Sequence, residues 1–361
     1  SDPIRYLKRG KSVYNAVIQL IPPPSTLSLN RFFTEEYFKS IKDHLTVDGI
    51  FMCTPMPYFS YSPKSYRKGL SPIYNSLKAS FKYVILIPGS LLYVVASDAP
   101  LSADISQLVA KRGIENSYVN SYYLDDDDIR RKGDLIISQL DTASPLNTMM
   151  RPVSSWFNNT LSLEMRGVRG TALAVIIVLM IIPFLLLRRG GFMMFAASSG
   201  LAGYGMIIIF LLQVTVGNMY LLTAMILSLL MAGLAAGASA GFPMIKRPLV
   251  VVPFLLAILY VVTGLASSLM TRTTPALLLI IIGVLLLSAG YLTGAVYRVL
   301  TSLSGNNLTG RIYAADLAGA ALGYMIVSTL LVPLAGVTVT SIILAAFILI
   351  SVALVSIVFK H

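Results

Sequence analysis

The spacing of apolar and polar positions divides the chain into two halves with different periods. Up to about residue 100, short β-rich apolar runs alternate with stretches of helical period. Residues 14–21 read as a strand, and residues 34–45 as a helix with Thr34 as N-cap and Tyr37, Phe38, Ile41 and Leu45 on one face. A buried strand at 49–54 and a helix at 71–81 follow, and then runs at 83–87 and 91–97 flank Pro88-Gly89-Ser90 as a hairpin. Strand, helix, strand units of this kind predict a mainly parallel sheet. Residues 101–169 predict a helical annex, with helices at 103–111 and 125–140 and an approach segment holding Trp156.

From residue 170 the polar positions nearly disappear. Seven apolar runs, at about 171–187, 192–214, 219–241, 248–270, 275–298, 312–334 and 337–358, are each long enough to cross about 30 Å of hydrocarbon as a helix. Small residues recur four apart at Gly233/Gly237, Gly290/Gly294 and Gly319/Gly323, a spacing that brings helix backbones together in lipid.

Composition agrees with this division. Of 361 residues 56 % are hydrophobic and 12 % charged, far too apolar for an ordinary water-soluble chain. The net charge of +12 is uneven: residues 1–164 carry 18 Lys and Arg against 15 Asp and Glu, and the remainder 10 against the single Asp316. In the membrane half the cations stand singly or in pairs between spans, as topology signals do, which argues against nucleic acid as a partner. With seven crossings, Arg188, Arg189, Lys246, Arg247, Arg298, Arg311 and Lys360 fall on the side away from the first half, and Arg166, Arg169 and Arg272 on its own side. That bias predicts an integral protein of the cell (inner) membrane with its soluble domain extracytoplasmic. One cysteine, Cys53, and two distant histidines exclude an intrachain disulfide and predict no metal site.

The stretch Leu20-Ile21-Pro22-Pro23-Pro24-Ser25-Thr26, continuing to Asn30-Arg31-Phe32-Phe33-Thr34-Glu35-Glu36, resembles the loop after the fourth strand of the membrane-bound spermidine synthase-like family. Leu146-Asn147, Arg151-Pro152, the set Gln213, Gly217, Tyr220 and Met231 to Leu234, and the run from Gly310 to Gly323 extend the likeness over nearly the whole chain. The resemblance implies a fold of α/β plus all-α membrane class, the back half of an S-adenosylmethionine-type Rossmann sheet followed by a seven-helix transmembrane bundle. The domains would be a partial Rossmann domain at 1–100, the annex and linker at 101–169, and the membrane domain at 170–361. The front strands are missing, so an N-terminal segment or another chain is expected to complete the sheet, because a bare edge is a liability.

Aminopropyl transfer needs a base for the attacking amine and negative charge near a sulfonium donor. The resemblance places the two aspartates that serve those roles on Leu20 and Pro23, which can do neither. It also replaces a glutamine of the next strand loop by Thr54-Pro55. Asp2, in Asp2-Pro3-Ile4-Arg5-Tyr6-Leu7, resembles an aspartate that contacts an adenine edge, although an Asp before Pro is also a common turn former. Tyr58, Tyr61, Tyr66 and Tyr74 stand where the family folds a lid over its polyamine, but Lys64, Arg67 and Lys68 beside them would repel a polycation. This loop is therefore expected to bind a ligand or, better, a protein partner. In the membrane half, Asp316 is expected to form an ion pair with Arg311 or Arg298, with a transport role as the rival. The sequence thus predicts a multi-pass membrane protein with a degenerate, non-catalytic domain acting in a protein complex, without a cofactor. The alternatives are a transferase completed by a missing segment, with an S-adenosylmethionine-type nucleoside as cofactor, and a small-molecule transporter.

Overall fold

The computed structural model describes residues 2–10, 12–61, 63–167, 189–216, 220–240, 247–271, 273–303 and 305–356, with scattered positions between 170 and 187. Two compact units divide the chain at Arg166 and Gly167.

The first unit is built on a four-stranded mixed sheet of order β1-β2-β4-β3, with β1 Tyr14–Gln19, β2 Leu45–Pro57, β3 Tyr83–Pro88 and β4 Leu91–Ser97. β1 runs parallel to β2, and β4 is antiparallel to both β2 and β3. Around the sheet lie helices α1 Pro3–Arg9, α2 Leu27–Asn30, α3 Glu35–Lys42, α4 Lys64–Ser80, α5 Ile105–Lys111, α6 Asp126–Ser138 and α7 Val153–Met165. Thr34 caps α3 as its position predicts, its hydroxyl accepting from the Tyr37 amide. The apolar face of α3 meets the sheet through rings, Phe38 lying 5.7 Å from Phe51 and Phe51 stacking on Phe81 at 6.2 Å. Phe51, Cys53, Val84, Leu86, Val94 and Ala96 complete this core from the strands.

The opposite face of the sheet is open toward β1. Ile18 is 64 % exposed and its neighbour in register is Met52, and Ile50 is 40 % exposed two pairs along, on the same face. The two sheet edges also differ. Gly133 sets the backbone of α6 so close to the Leu86 carbonyl that no Cβ would fit between them, and so covers β3. Among the described residues, β1 has a strand on one side only.

Two elements extend beyond their sequence signals. β2 continues to Pro57 across a bulge between Cys53 and Met56. α4 begins at Lys64, seven residues before the predicted start, and carries Pro72 in its interior. The hydroxyls of Ser71 and Ser76 donate to the Arg67 and Pro72 carbonyls in this stretch. Gly69 leaves room there for Met56, whose terminal methyl would lie 2.5 Å from a Cβ and would have to swing aside. Asp125, the first of four consecutive aspartates and the start of the helix expected at 125–140, caps α6. Asp126 does something else: it is buried and accepts from the Ser106 amide at 3.0 Å, the Ser106 hydroxyl at 2.7 Å and the Gln107 amide at 3.1 Å.

Burial raises the pKa of Asp126, but these hydrogen bonds outweigh it and hold the carboxyl below the usual range. A depressed folded pKa contributes stability above the unfolded value and loses it as pH falls through the folded one. Hydrogen-exchange protection of the Ser106 and Gln107 amides should therefore persist at neutral pH, begin to weaken near the ordinary carboxylate pKa of about 4, and be lost only at more acid pH. Asp126→Asn should abolish the pH dependence. Protection unchanged down to strong acid would show that the carboxylate does not hold α5.

The second unit contains α8 Arg189–Thr215, α9 Tyr220–Ser239, α10 Pro248–Met270, α11 Pro275–Leu303, α12 Gly305–Ile326 and α13 Val332–Ser356, with a π-helical turn, Val327–Leu331, between the last two. Among the described residues, five apolar helices are long enough to cross a membrane, the last a 47-residue stretch from Thr309 to Val355. A straight helix of that length would measure roughly 70 Å, more than twice the hydrocarbon thickness. Gly336, at φ 81° and ψ 172°, breaks it. Val327 before the break and Leu344 after it both press on Gly203 of α8. The chain therefore turns back, and the helices at the expected spans 312–334 and 337–358, the second described to residue 356, both pack on α8 and run antiparallel to each other. The first expected span, 171–187, lies outside the described residues apart from scattered positions, so the predicted count of seven is not carried further.

The glycine seams set the directions of the other helices. Gly319 and Gly323 of α12 meet Phe195 and Ser199 of α8 in ascending order, so the two helices run parallel. Gly290 and Gly294 of α11 meet Leu230 and Leu234 of α9 in the same sense. Alternating up and down crossings require this parity. α8 is the hub, with 89 % of its most apolar stretch buried against 22–44 % for the other four. Their exposed side chains, Leu265, Leu269, Ile280 and Ile350 among them, form an apolar exterior suited to lipid.

Candidate functional site

In open sheets with parallel strands, ligands collect outside the carboxyl ends of the strands. β1 ends at Gln19, whose amide donates to the Phe32 carbonyl at 3.2 Å while its own Oε1, buried, has no partner among the described residues. Leu20 follows with 72 % of its surface exposed, and Pro23 is half-buried. The rest of this motif acts as scaffold. Asn30, fully buried, exchanges side-chain hydrogen bonds with Asn147 at 3.3 and 3.1 Å, and Asn147 also donates to the Phe33 carbonyl at 2.8 Å. Asp2 caps α1 by accepting from the Ile4 amide at 3.0 Å, and its other oxygen is engaged by Arg31. Both of its oxygens are therefore occupied within the fold.

β2 ends at Pro57, and the segment from Tyr58 to Tyr61 carries the chain to Pro63 and α4. This segment borders two clefts. One, about 340 Å³, is lined beyond it by Arg67 of α4 and by Arg131, Lys132, Leu135, Ile136 and Gln139 of α6. The other, about 400 Å³, is lined beyond it by Pro63, Leu161 and Met165. A larger depression of about 840 Å³ beside α5 has Glu115 as its one charged lining residue and gathers no comparable chemistry.

The first cleft is cationic. Asp128 pairs with Arg131 at 2.6 Å and with Lys132 at 2.5 Å. Hydrogen bonds from Lys132 and Arg131 hold Asp128 below its ordinary pKa, and Asp128 in turn raises Lys132. Among the described residues no carboxylate lies within ion-pair distance of Arg67. Three cations thus line the cleft, and the carboxylate that two of them share, Asp128, belongs to their own helix and lies outside the lining.

The tyrosines have different roles. Tyr61 is 79 % exposed and Tyr58 half-buried on the segment itself. Tyr66 and Tyr74, expected in the same loop, lie within α4. Tyr66 is fully buried, so it cannot present a ring to a ligand, and it holds the segment in place by an edge contact to Phe59 at 5.5 Å. Arg131, Lys132 and Gln139 escape a reading of the sequence because they follow an acidic run that marks an ordinary helix start. Only the packing of α6 on β3 brings them to the end of β2.

The expected membrane ion pair does not form among the described residues. The Asp316 carboxylate accepts from the Ser198 hydroxyl across the α8–α12 seam. Arg298 turns to the Ser239 and Ala238 carbonyls, where its charge caps the end of α9. Arg311 is exposed. The reason is topological: parallel pairing of α9 with α11 brings the last carbonyls of α9 to Arg298.

Neither protein-family models nor curated proteins yield a match to this chain.

Proposed function

We propose that this multi-pass membrane protein uses residues 1–166 as a non-catalytic binding module, a degenerate spermidine synthase-like fold that recognises anionic groups instead of polyamines. The observation that carries the reading is the lining of the cleft at the end of β2. Arg67, Arg131 and Lys132 stand there with no carboxylate among the described lining residues, the last two sharing Asp128 outside it, while Leu20 and Pro23 occupy the positions where the resemblance implies carboxylates. A polyamine would meet like charge, and its attacking nitrogen would find no base. An anion would meet guanidinium groups, which suit carboxylate and phosphate.

The test is aminopropyl transfer from decarboxylated S-adenosylmethionine to putrescine by the purified full chain. No product above the protein-free rate is expected, together with spermidine binding weaker than about 1 mM. Turnover would overturn the reading.

The bare edge of β1, with Ile18 and Ile50 exposed beside it, supports a second proposal. An N-terminal segment or another chain would add a parallel strand there and cover the face with a helix, and a transfer assay that became positive in its presence would show that it supplies the catalytic acids. Masses of the native polypeptide and of its copurifying chains test this. If the chain crosses seven times, as its sequence predicts, the Lys and Arg bias of the loops supports placing the module on the extracytoplasmic side of the cell membrane.

A further inference from the structure

The two clefts beside the segment from Tyr58 to Tyr61 share its four residues as a common wall. On one side stand Arg67, Arg131 and Lys132, and on the other Pro63, Leu161 and Met165. We infer that the pair forms one binding site for an anionic amphiphile, with a phosphate or carboxylate head among the cations and an alkyl chain along Leu161 and Met165. This names the ligand class of the anion-binding reading above and rests on it.

A small free anion would account for the first cleft only. Beside the cations, however, Tyr61 and Met165 are 79 % and 63 % exposed, an apolar surface that gains nothing from a hydrated ion and gains steadily from a chain. Tyrosines on the dividing wall suit the boundary between head and chain, where an apolar ring with a polar tip is favoured. The wall is also held in position: Phe59 packs on the buried Tyr66, so the clefts exist before any ligand arrives. Arg67 has no competing carboxylate among the described residues, whereas Arg131 and Lys132 share Asp128. The head should therefore lean toward Arg67.

The probe is a lysophosphatidate carrying a diazirine in its chain, photolysed with the detergent-purified full chain, the crosslinks being mapped by mass spectrometry. Crosslinks are expected on residues 58–61 and 161–165. Arg67→Gln with Arg131→Gln should lower the yield about tenfold, with the emission of Trp156, the sole tryptophan, unchanged as a folding control. Shortening the chain should lower affinity by about fourfold per buried methylene, and Tyr61→Ser with Met165→Ser should flatten that dependence. Inorganic phosphate should compete poorly. Equal competition by phosphate would assign the site to a free anion, and equal competition by polyglutamate to an acidic protein. A lysophosphatidylcholine analogue labelling equally well, or labelling confined to residues 189–356, would also overturn the inference. None of these results bears on the transfer assay, so failure of the amphiphile site and failure of the non-catalytic reading are separable.

Discussion

Gly237→Leu should eliminate the folded membrane unit. At Gly237 a Cβ would penetrate the Tyr291 carbonyl oxygen and stand 3.0 Å from the Ala295 amide, and both obstacles are helix backbone, which cannot turn aside as a side chain can. Gly233 and Gly290 flank the same contact, each with a backbone oxygen 2.6 Å from where a Cβ would sit. In lipid no hydrophobic force draws these helices together, so close backbone approach is most of what joins them. Separating α9 from α11 by the width of a leucine should cost about 3 kcal/mol or more. Size-exclusion profiles of a fluorescent fusion should lose their monodisperse peak. Gly283→Leu is the control, because at Gly283 the nearest atom lies 3.8 Å from a Cβ. A Gly237→Leu variant that elutes and melts like the parent would refute the seam.

Asn147→Ala should be the most damaging single truncation in the first unit. Its amide nitrogen donates to Asn30 and to the Phe33 carbonyl, and its side-chain oxygen accepts from Asn30 and from the Ser154 amide at 3.2 Å. The alanine variant leaves the fully buried Asn30 amide, a carbonyl and a backbone N–H unpaired together. Each orphaned group costs about 1–3 kcal/mol, so a loss of about 3–5 kcal/mol is expected, or roughly 10 °C in Tm. Trp156 lies in α7, so its emission reports melting of this unit. Adding Asn30→Ala should recover part of the loss, because it removes one of the stranded groups, and the two changes should couple strongly. Simple additivity would mean that the reciprocal amide pair contributes nothing as a pair.

Much of the fold can be read from local chemistry. Thr34 before an apolar helical face gives α3, Pro88-Gly89-Ser90 gives the hairpin, and paired glycines give the membrane seams. Signals fail where a breaker is tolerated for reasons of packing. Gly69 and Pro72 look like the end of a loop, yet Gly69 makes room for Met56, and α4 continues through both. Asp126 is indistinguishable in sequence from its acidic neighbours, and only the approach of α5 makes it a buried cap. The same holds for the cleft. Tyr58 and Tyr61 are conspicuous in the sequence, but Arg131 and Lys132 reach them from α6, about seventy residues away. Asp316 and Arg298 show the opposite error: they are near in sequence and of opposite charge, but opposite charge does not decide pairing when helix direction has already chosen other neighbours.

The parallel seams also bear on how the chain is made. α9 finds α11 only after α10 has been synthesised between them, and α8 finds α12 only after three more helices have left the ribosome. The partnerships close like nested brackets, the inner pair first and the outer pair last. The helix with the least surface suited to lipid is thus the one that waits longest in the bilayer for its covering, and a chaperone or the insertion machinery would do most good by shielding α8.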